Sequence, residues 1–313
     1  MHDALKVFAG NSNPALAQEI CQHLNLPLSQ LEIVRFANDN LFVQVLENVR
    51  ERDVFVVQSL THPVSDHIME LLITLDALRS ASAKRITAVI PYYSYARSDK
   101  KDAPRISITG RLMADLLVTA GADRVLTMDL HAPQVHGFFS VPVDHLTATP
   151  ILTKYIREQY GLDTAVAVAA DAGGAKRVGR IAEQLHLPMA IIDKRRKGDQ
   201  NVQQGFVVGD VKDRVALVFE DEIATGSTLV TTVQTLLEAG AERVIASATH
   251  PILCGPAMTN LQNADLDELI VSNTCQVGPE KNFEKLTVLS IAPLLAEAIR
   301  RIHSGESVGA LFT

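Results

Sequence analysis

The second half of this chain repeats the first. His23-Leu24-Asn25-Leu26-Pro27 lies over Gln184-Leu185-His186-Leu187-Pro188 at an offset of 161. Val49-Arg50-Glu51-Arg52-Asp53-Val54 lies over Val211-Lys212-Asp213-Arg214-Val215 at an offset near 162, and Ala83-Lys84-Arg85-Ile86 over Ala241-Glu242-Arg243-Val244 at 158. Three blocks in the same order at a nearly constant offset mean that whatever one half folds into, the other must fold into again. Within each copy, short β-branched runs alternate with helical patterns. Strands are predicted at Val54–Gln58, Ile86–Pro91, Val125–Asp129, Ala165–Ala170, Val215–Phe219, Val244–Thr249 and Leu269–Ser272. Amphipathic helices are predicted at Ile68–Arg79, Ile108–Ala120, Ala175–Leu185 and Thr228–Ala239. Near-continuous apolar strands spaced by helices imply parallel sheets buried on both faces. The expected fold is therefore α/β, two tandem homologous doubly wound domains with mainly parallel sheets, at residues 1–146 and 147–313.

Composition narrows the partners. A net charge of −7 provides no general basic face for a nucleic acid, and the absence of Trp with only 5% aromatics argues against base-stacking platforms. No run of about 18 or more uncharged apolar residues exists, so no membrane span is expected. Met1–Gly10 lacks the basic start and apolar stretch of a signal peptide. Three cysteines, Cys21, Cys254 and Cys275, cannot all pair within one chain and match no zinc spacing. This sparse usage leads us to expect a cytoplasmic location.

In doubly wound sheets ligands bind at the carboxyl ends of strands. The predicted strand Val215–Phe219 runs into Glu220-Asp221-Glu222-Ile223-Ala224-Thr225-Gly226-Ser227-Thr228, and a helix follows. Carboxylates at a strand end can accept hydrogen bonds from vicinal sugar hydroxyls. Backbone N–H groups and hydroxyls at a helix N-terminus favour a phosphate. The bland alternative is a strand-to-helix turn in which Thr and Ser act only as caps. His131 follows the predicted strand Val125–Asp129, where a lone His is more often structural than a ligand. With His136 five residues on it suggests zinc, but no third nitrogen or sulfur ligand is near in sequence. Lys194-Arg195-Arg196-Lys197 follows an apolar run and is expected to open a polar loop. A four-cation run is ordinarily just a solvated face.

An acid-rich strand end followed by Thr-Gly-x-Thr resembles the ribose-5-phosphate loop of the type I phosphoribosyltransferase fold. The rest of the chain resembles the ribose-phosphate pyrophosphokinase family. The matching stretches include Leu5–Asn11, Arg35-Phe36, Glu47–Arg50, Thr87–Tyr92, Tyr95–Arg97 and Met128–Ala132. Gly137–Phe139, Asp171–Val178, Lys194–Arg196 and Ala296–Arg301 also match, in order and over essentially the whole length. The resemblance implies transfer of the β,γ-diphosphoryl group of Mg-ATP to O1 of ribose 5-phosphate, giving 5-phosphoribosyl 1-diphosphate (PRPP) and AMP. It also implies roles for individual residues. Phe36, Asn38, Asn40, Arg97, Ser98 and His131 fall where the family binds ATP. Asp171, with His131, falls at the Mg²⁺ ligands. Glu220, Asp221, Ala224, Thr225, Gly226, Ser227 and Thr228 fall at ribose 5-phosphate. Lys194 and Arg196 fall on a loop that closes over the transferring phosphates as a cationic clamp. Homo-oligomers, dimers assembled into hexamers, and regulation by inorganic phosphate and ADP are implied as well.

Three positions depart from the family pattern. Phe-Ser-Asp-Gly-Glu is here Phe36-Ala37-Asn38-Asp39-Asn40, so two carboxylates facing the nucleotide have become amides. Arg-Gln is here Arg97-Ser98, and Ala224 stands where the loop usually carries Asp. A non-catalytic regulatory homologue and a PRPP-consuming phosphoribosyltransferase are the rival readings. Intact Lys194, Arg196, His131 and Asp171 argue against the first. The duplicated first half argues against the second.

Overall fold

The computed structural model describes residues 4–197 and 202–311, with side chains described outside 194–204. It resolves into two compact units. The first runs to Thr147 and takes in Thr274–Gln276 and the residues from Ser290 onward; the second comprises Ala148–Asn273 and Val277–Leu289.

The first unit starts with strand β1 (Leu5–Ala9), helix α1 (Pro14–Leu24) and an antiparallel hairpin, β2 (Leu31–Arg35) and β3 (Leu41–Val45). It continues through β4 (Asp53–Val57), α2 (Val64–Ser80), β5 (Arg85–Ile90), α3 (Thr109–Ala120), β6 (Arg124–Met128) and β7 (Val143–Leu146). Its sheet has the order β1-β4-β5-β6-β7, parallel throughout. Every residue of β4 is buried, as a strand covered on both faces must be. Phe8, Val54, Val56, Leu71, Leu75, Ile86, Ile90 and Leu117 form its core.

The second unit opens with α4 (Thr149–Gln159) and repeats the pattern. It runs β8 (Ala165–Ala169), α5 (Ala175–Leu185), β9 (Met189–Lys197), β10 (Val202–Val208), β11 (Val215–Ile223), α6 (Ser227–Glu238) and β12 (Arg243–Pro251). Helix α7 (Ala257–Gln262), β13 (Glu268–Ser272) and β14 (Leu286–Leu289) follow. The sheet order is β10-β9-β8-β11-β12-β13-β14, parallel except for the β9–β10 pair. Strands β8-β11-β12-β13-β14 thus stand in the order of β1-β4-β5-β6-β7, which is the repeat read from the sequence. All seven predicted strands and four predicted helices are present, and the α/β, mainly parallel fold is as expected. The segment from Lys194 departs from expectation: antiparallel pairing with β10 keeps it in strand β9 to Lys197, where a loop was expected to open.

The last helix, α8 (Ala292–Ser304), belongs to the first unit, against α1. A polar knot fixes its end. The carboxylate of Asp53, at the start of β4, accepts from Arg85 Nε at 2.8 Å and from Arg85 Nη2, and His303 Nδ1 lies 2.8 Å from its Oδ2. Arg85 Nη2 also donates to the carbonyl of Ile302 at 2.8 Å, tying β5 to the helix terminus. A second polar knot lies at the opposite end of the same sheet, past β1 and β4. The buried carboxylate of Glu70 accepts from the backbone N–H of Asn11 at 2.7 Å, from Asn11 Nδ2 at 2.8 Å and from Gln58 Nε2 at 2.8 Å. Gln58 Oε1 accepts from the hydroxyl of Ser12 at 2.7 Å. Gly10 is required beside it, because an added Cβ would sit 2.3 Å from Gln58 Oε1.

Asp53→Ala should destabilise the chain by about 2–3 kcal/mol, since it strips the Arg85 guanidinium of its carboxylate partner and His303 of a hydrogen bond. Urea unfolding measures it. A change below about 0.5 kcal/mol would show that packing alone holds α8.

Candidate active site

In an open parallel sheet, neighbouring crossovers pass to opposite faces where the strand order reverses, and a crevice opens beyond the carboxyl ends there. In the second unit that point lies between β8 and β11. The register shows how the crevice is made. Strand β11 pairs with β8 only as far as Val218↔Val168, but with β12 as far as Ile223↔Pro251. Glu220, Asp221 and Glu222 therefore continue the strand past its β8 neighbour. The sequence placed the strand end at Phe219; pairing with β12 carries it four residues further.

Asp171 follows β8 on the other side of the crevice and is exposed. Its Oδ1 accepts from the N–H of Gly174 at 2.9 Å, which orders the turn into α5. Arg177, on α5, donates through Nη2 to the carbonyl of Phe219 at 3.3 Å and stands 4.0 Å from Asp221 Oδ1. The structure thus brings Asp171 and the acids of β11 to adjacent strand ends of one crevice. This set offers hard oxygen donors, which suit Mg²⁺. Among the described residues no group of three His, Cys, Asp or Glu is already arranged around a metal position.

Beyond β11 the chain turns through Ala224-Thr225-Gly226 into α6. Gly226 is left-handed at φ 74°, and no side chain caps the helix. Thr225 Oγ1 and Ser227 Oγ lie 3.2 Å from each other. Among the described residues, the backbone N–H groups of Thr225, Gly226, Ser227 and Thr228 have no acceptor. The capping alternative therefore fails here. Thr225, Ser227 and Thr228 are exposed around a set of open amides, the arrangement that binds an anion. Ala224 contributes through its backbone, its carbonyl accepting from Cys254 N–H at 2.9 Å.

The remaining sequence-derived positions lie in the first unit, apart from Lys194 and Arg196. Phe36, Asn38 and Asn40 occupy the β2–β3 turn. Phe36 is 51% exposed, its ring 5.9 Å from that of Phe42. Its N–H donates to the carbonyl of Asn40, while Asn38 Oδ1 accepts from Asn40 N–H at 3.3 Å, so that acceptor is occupied by the turn itself. Arg97 and Ser98 follow β5, and His131 follows β6, the adjacent strand. Arg97 and His131 are exposed. Ser98 Oγ accepts from Thr109 N–H at 3.1 Å at the start of α3, and donates to the carbonyl of Ser107 at 3.3 Å. Lys194 and Arg196 stand opposite Gly205 and Gln203 in the β9–β10 register; their side chains, and residues 198–201 of the expected loop, lie outside the described residues.

Sequence reasoning missed two residues that shape these turns. His145, on β7, accepts through Nε2 from the N–H of Leu130 at 2.8 Å and so fixes the turn carrying His131. Asn260, on α7, reaches the Thr225 turn. Both act across the fold, and no local spacing marks them. A cleft of about 590 Å³ in the second unit, lined by Tyr155, Tyr160, Glu268 and Lys285 among others, lies by the start of β13 rather than at the strand ends. Glu268 there already accepts from Tyr155, Tyr160 and Thr287.

Residues 5–121 match the family model described as the N-terminal domain of ribose phosphate pyrophosphokinase, and residues 204–313 match the phosphoribosyl synthetase-associated domain. A ribose-phosphate pyrophosphokinase of Deinococcus radiodurans is 50% identical over 313 residues, covering 99% of this chain and 98% of that one. That of Aquifex aeolicus is 46% identical over 311 residues, covering 99% and 100%. The crystal structure of phosphoribosylpyrophosphate synthetase from Mycobacterium smegmatis superposes with a TM-score of 0.92 at 44% identity, covering 96% of this chain and 99% of that chain.

Gly226→Ala should cost about 1–2 kcal/mol, from left-handed backbone and an added Cβ 3.1 Å from Leu261 Cγ. Thermal melts of parent and variant measure it. An unchanged melting temperature would show that the turn relaxes freely.

Proposed function

We propose that the chain, which belongs to the ribose-phosphate pyrophosphokinase family, binds its sugar phosphate at the β8/β11 crevice and its nucleotide through residues of the first unit. The chain is an ATP-dependent diphosphotransferase. O1 of ribose 5-phosphate attacks the β-phosphorus of ATP. The O1–Pβ bond forms, the bond from Pβ to the α,β-bridging oxygen breaks, the O1 proton passes to solvent, and AMP leaves with that oxygen.

The observation that carries the binding assignment is the uncapped start of α6 behind three consecutive carboxylates. A dianionic phosphate there would meet the N–H groups of Thr225 to Thr228 and the hydroxyls of Thr225, Ser227 and Thr228. The 2- and 3-hydroxyls of the sugar would donate to Glu220 and Asp221, which can only accept when ionised. Ala224 provides backbone alone, so the contact that an acid would make at that position is missing.

For ATP, the exposed ring of Phe36 offers a face for adenine, with Asn38 and Asn40 beside it. Arg97, Ser98 and His131 are assigned to the nucleotide on the strength of the matching family segments. Asp171 and His131 are the proposed Mg²⁺ ligands. When bound, Mg²⁺ supplies charge neutralisation across the phosphates. Lys194 and Arg196 are assigned to the charge that develops as the diphosphoryl group passes to O1. A homo-oligomer of dimers assembled into hexamers, with phosphate activation and ADP inhibition, is proposed on the family match. No helix among the described residues is long and apolar enough to cross a membrane. The three cysteines are free, which supports a cytoplasmic location.

The direct test is AMP and PRPP formation by the purified protein from Mg-ATP and ribose 5-phosphate, with and without inorganic phosphate. ATP hydrolysis without PRPP would overturn the assignment. Thr228→Val removes a hydroxyl from the phosphate at near-constant shape. Ribose 5-phosphate should bind about 1.5–3 kcal/mol more weakly, with ATP binding near normal. Equal weakening of both ligands would refute the specific role. Lys194→Ala should lower kcat by about 10²–10³ with little change in ribose 5-phosphate binding. Steady-state rates check it, and turnover within about threefold of the parent removes Lys194 from the clamp.

A further inference from the structure

Three successive carbonyl groups leading into α6 are held by one segment of the second unit. Ile223 O accepts from the N–H of Leu253 at 3.1 Å, and Ala224 O from the N–H of Cys254 at 2.9 Å. Thr225 O has no backbone donor among the described residues. It accepts instead from a side chain, Asn260 Nδ2, at 2.8 Å. The same nitrogen lies 3.3 Å from Ser227 Oγ. Gly226 is set against this side of α7: a Cβ built on it would lie 3.6 Å from Asn260 Cβ and 3.1 Å from Leu261 Cγ.

A trans peptide is planar, with its C=O and N–H pointing in opposite directions. Turning the carbonyl of Thr225 toward Asn260 therefore turns the N–H of Gly226 away from it, toward the open side of the turn. Were that peptide to flip, a carbonyl oxygen would face the anion and one donor would be lost. Gly226 tolerates such a flip better than any other residue, because both hands of backbone are open to it. The peptides before it are pinned by main-chain donors that no substitution other than proline removes. The 225–226 peptide is pinned by one side chain.

We propose that Asn260 is a positioning residue for ribose 5-phosphate, holding the Thr225–Gly226 peptide so that its N–H serves the sugar's phosphate group. The inference rests on the assignment of that phosphate to Thr225–Thr228. Asn260 touches neither substrate; it acts through the Thr225 carbonyl and the Ser227 hydroxyl that it faces. Its contribution therefore concerns sugar-phosphate binding and leaves the transfer step and nucleotide binding alone. Only an amide nitrogen, not its oxygen, can meet a carbonyl acceptor, so the requirement is for a donor and not for bulk.

Steady-state kinetics of Asn260→Leu, matched in shape but without a donor, and of Asn260→Ala test this, with Thr228→Val as the parallel arm. Both Asn260 variants should raise the KM for ribose 5-phosphate roughly five- to twentyfold. Their kcat at saturation should stay within about twofold, with the KM for ATP unchanged. Asn260 is only half-buried on a short helix, and if the Leu variant fails to fold the Ala variant decides. If Thr228→Val weakens ribose 5-phosphate while both Asn260 variants leave its KM unchanged, Asn260 has no positioning role and the phosphate assignment stands. If Thr228→Val also leaves that KM unchanged, the phosphate assignment falls and the inference falls with it. A loss in kcat with unchanged KM, or parallel rises for both substrates, overturns it as well.

Discussion

The functional geometry of the second unit depends on the reversal of strand order at β8. A parallel strand cannot return through a tight turn, so each connection crosses over as a longer segment, usually a helix, on one face. From β8 the chain crosses over to β9 on one side and from β11 to β12 on the other, so it leaves the carboxyl ends of β8 and β11 in opposite directions. The gap between them is where no backbone covers the sheet. The extension of β11 past β8 then carries three carboxylates beyond the end of its neighbour, and the start of α6 sets open amides after them. Donors and acceptors are thus supplied side by side.

Much of this was legible in the sequence because repeat and periodicity are local signals. Strands such as Val54–Gln58 and Ala165–Ala170 are buried on both faces and read as apolar runs, and their positions are within a residue of those observed. The acid run before Thr225 marked the crevice for the same reason: a strand end followed by Thr-Gly-Ser-Thr is contiguous in the chain. What stayed hidden depends on pairing between distant segments. Only β12 shows that β11 reaches Ile223, and only β10 shows that Lys194 to Lys197 remain in a strand. His145 and Asn260 are further cases, since each orders a turn from a different element.

The departures from the family pattern take on different weights in the fold. Ala224 leaves the backbone of its turn intact, since its carbonyl is used and its side chain is not. Ser98 is bound at both sides of its hydroxyl, closing the chain between the end of β5 and the start of α3, so its change from the usual residue is accommodated by local structure. Asn38 uses its oxygen to brace the turn that presents Phe36, which leaves its amide nitrogen as the group able to face outward. A nucleotide there would meet a donor where the usual pattern presents an acceptor.

The knot of Glu70, Gln58, Asn11 and Ser12 shows how differently the two copies use equivalent strand ends. By the strand register, Asn11 corresponds to Asp171 and Gln58 to Glu220, so this knot stands in the first copy at the strand ends that carry Asp171 and Glu220 in the second. There the backbone N–H of Asn11 is already satisfied by Glu70, and the amide of Gln58 is turned onto the same carboxylate. The first copy therefore closes on itself: the carboxylate brought in by α2 takes up the donors of both strand ends, and what is a crevice wall in the second copy is here a fastening between sheet and helix.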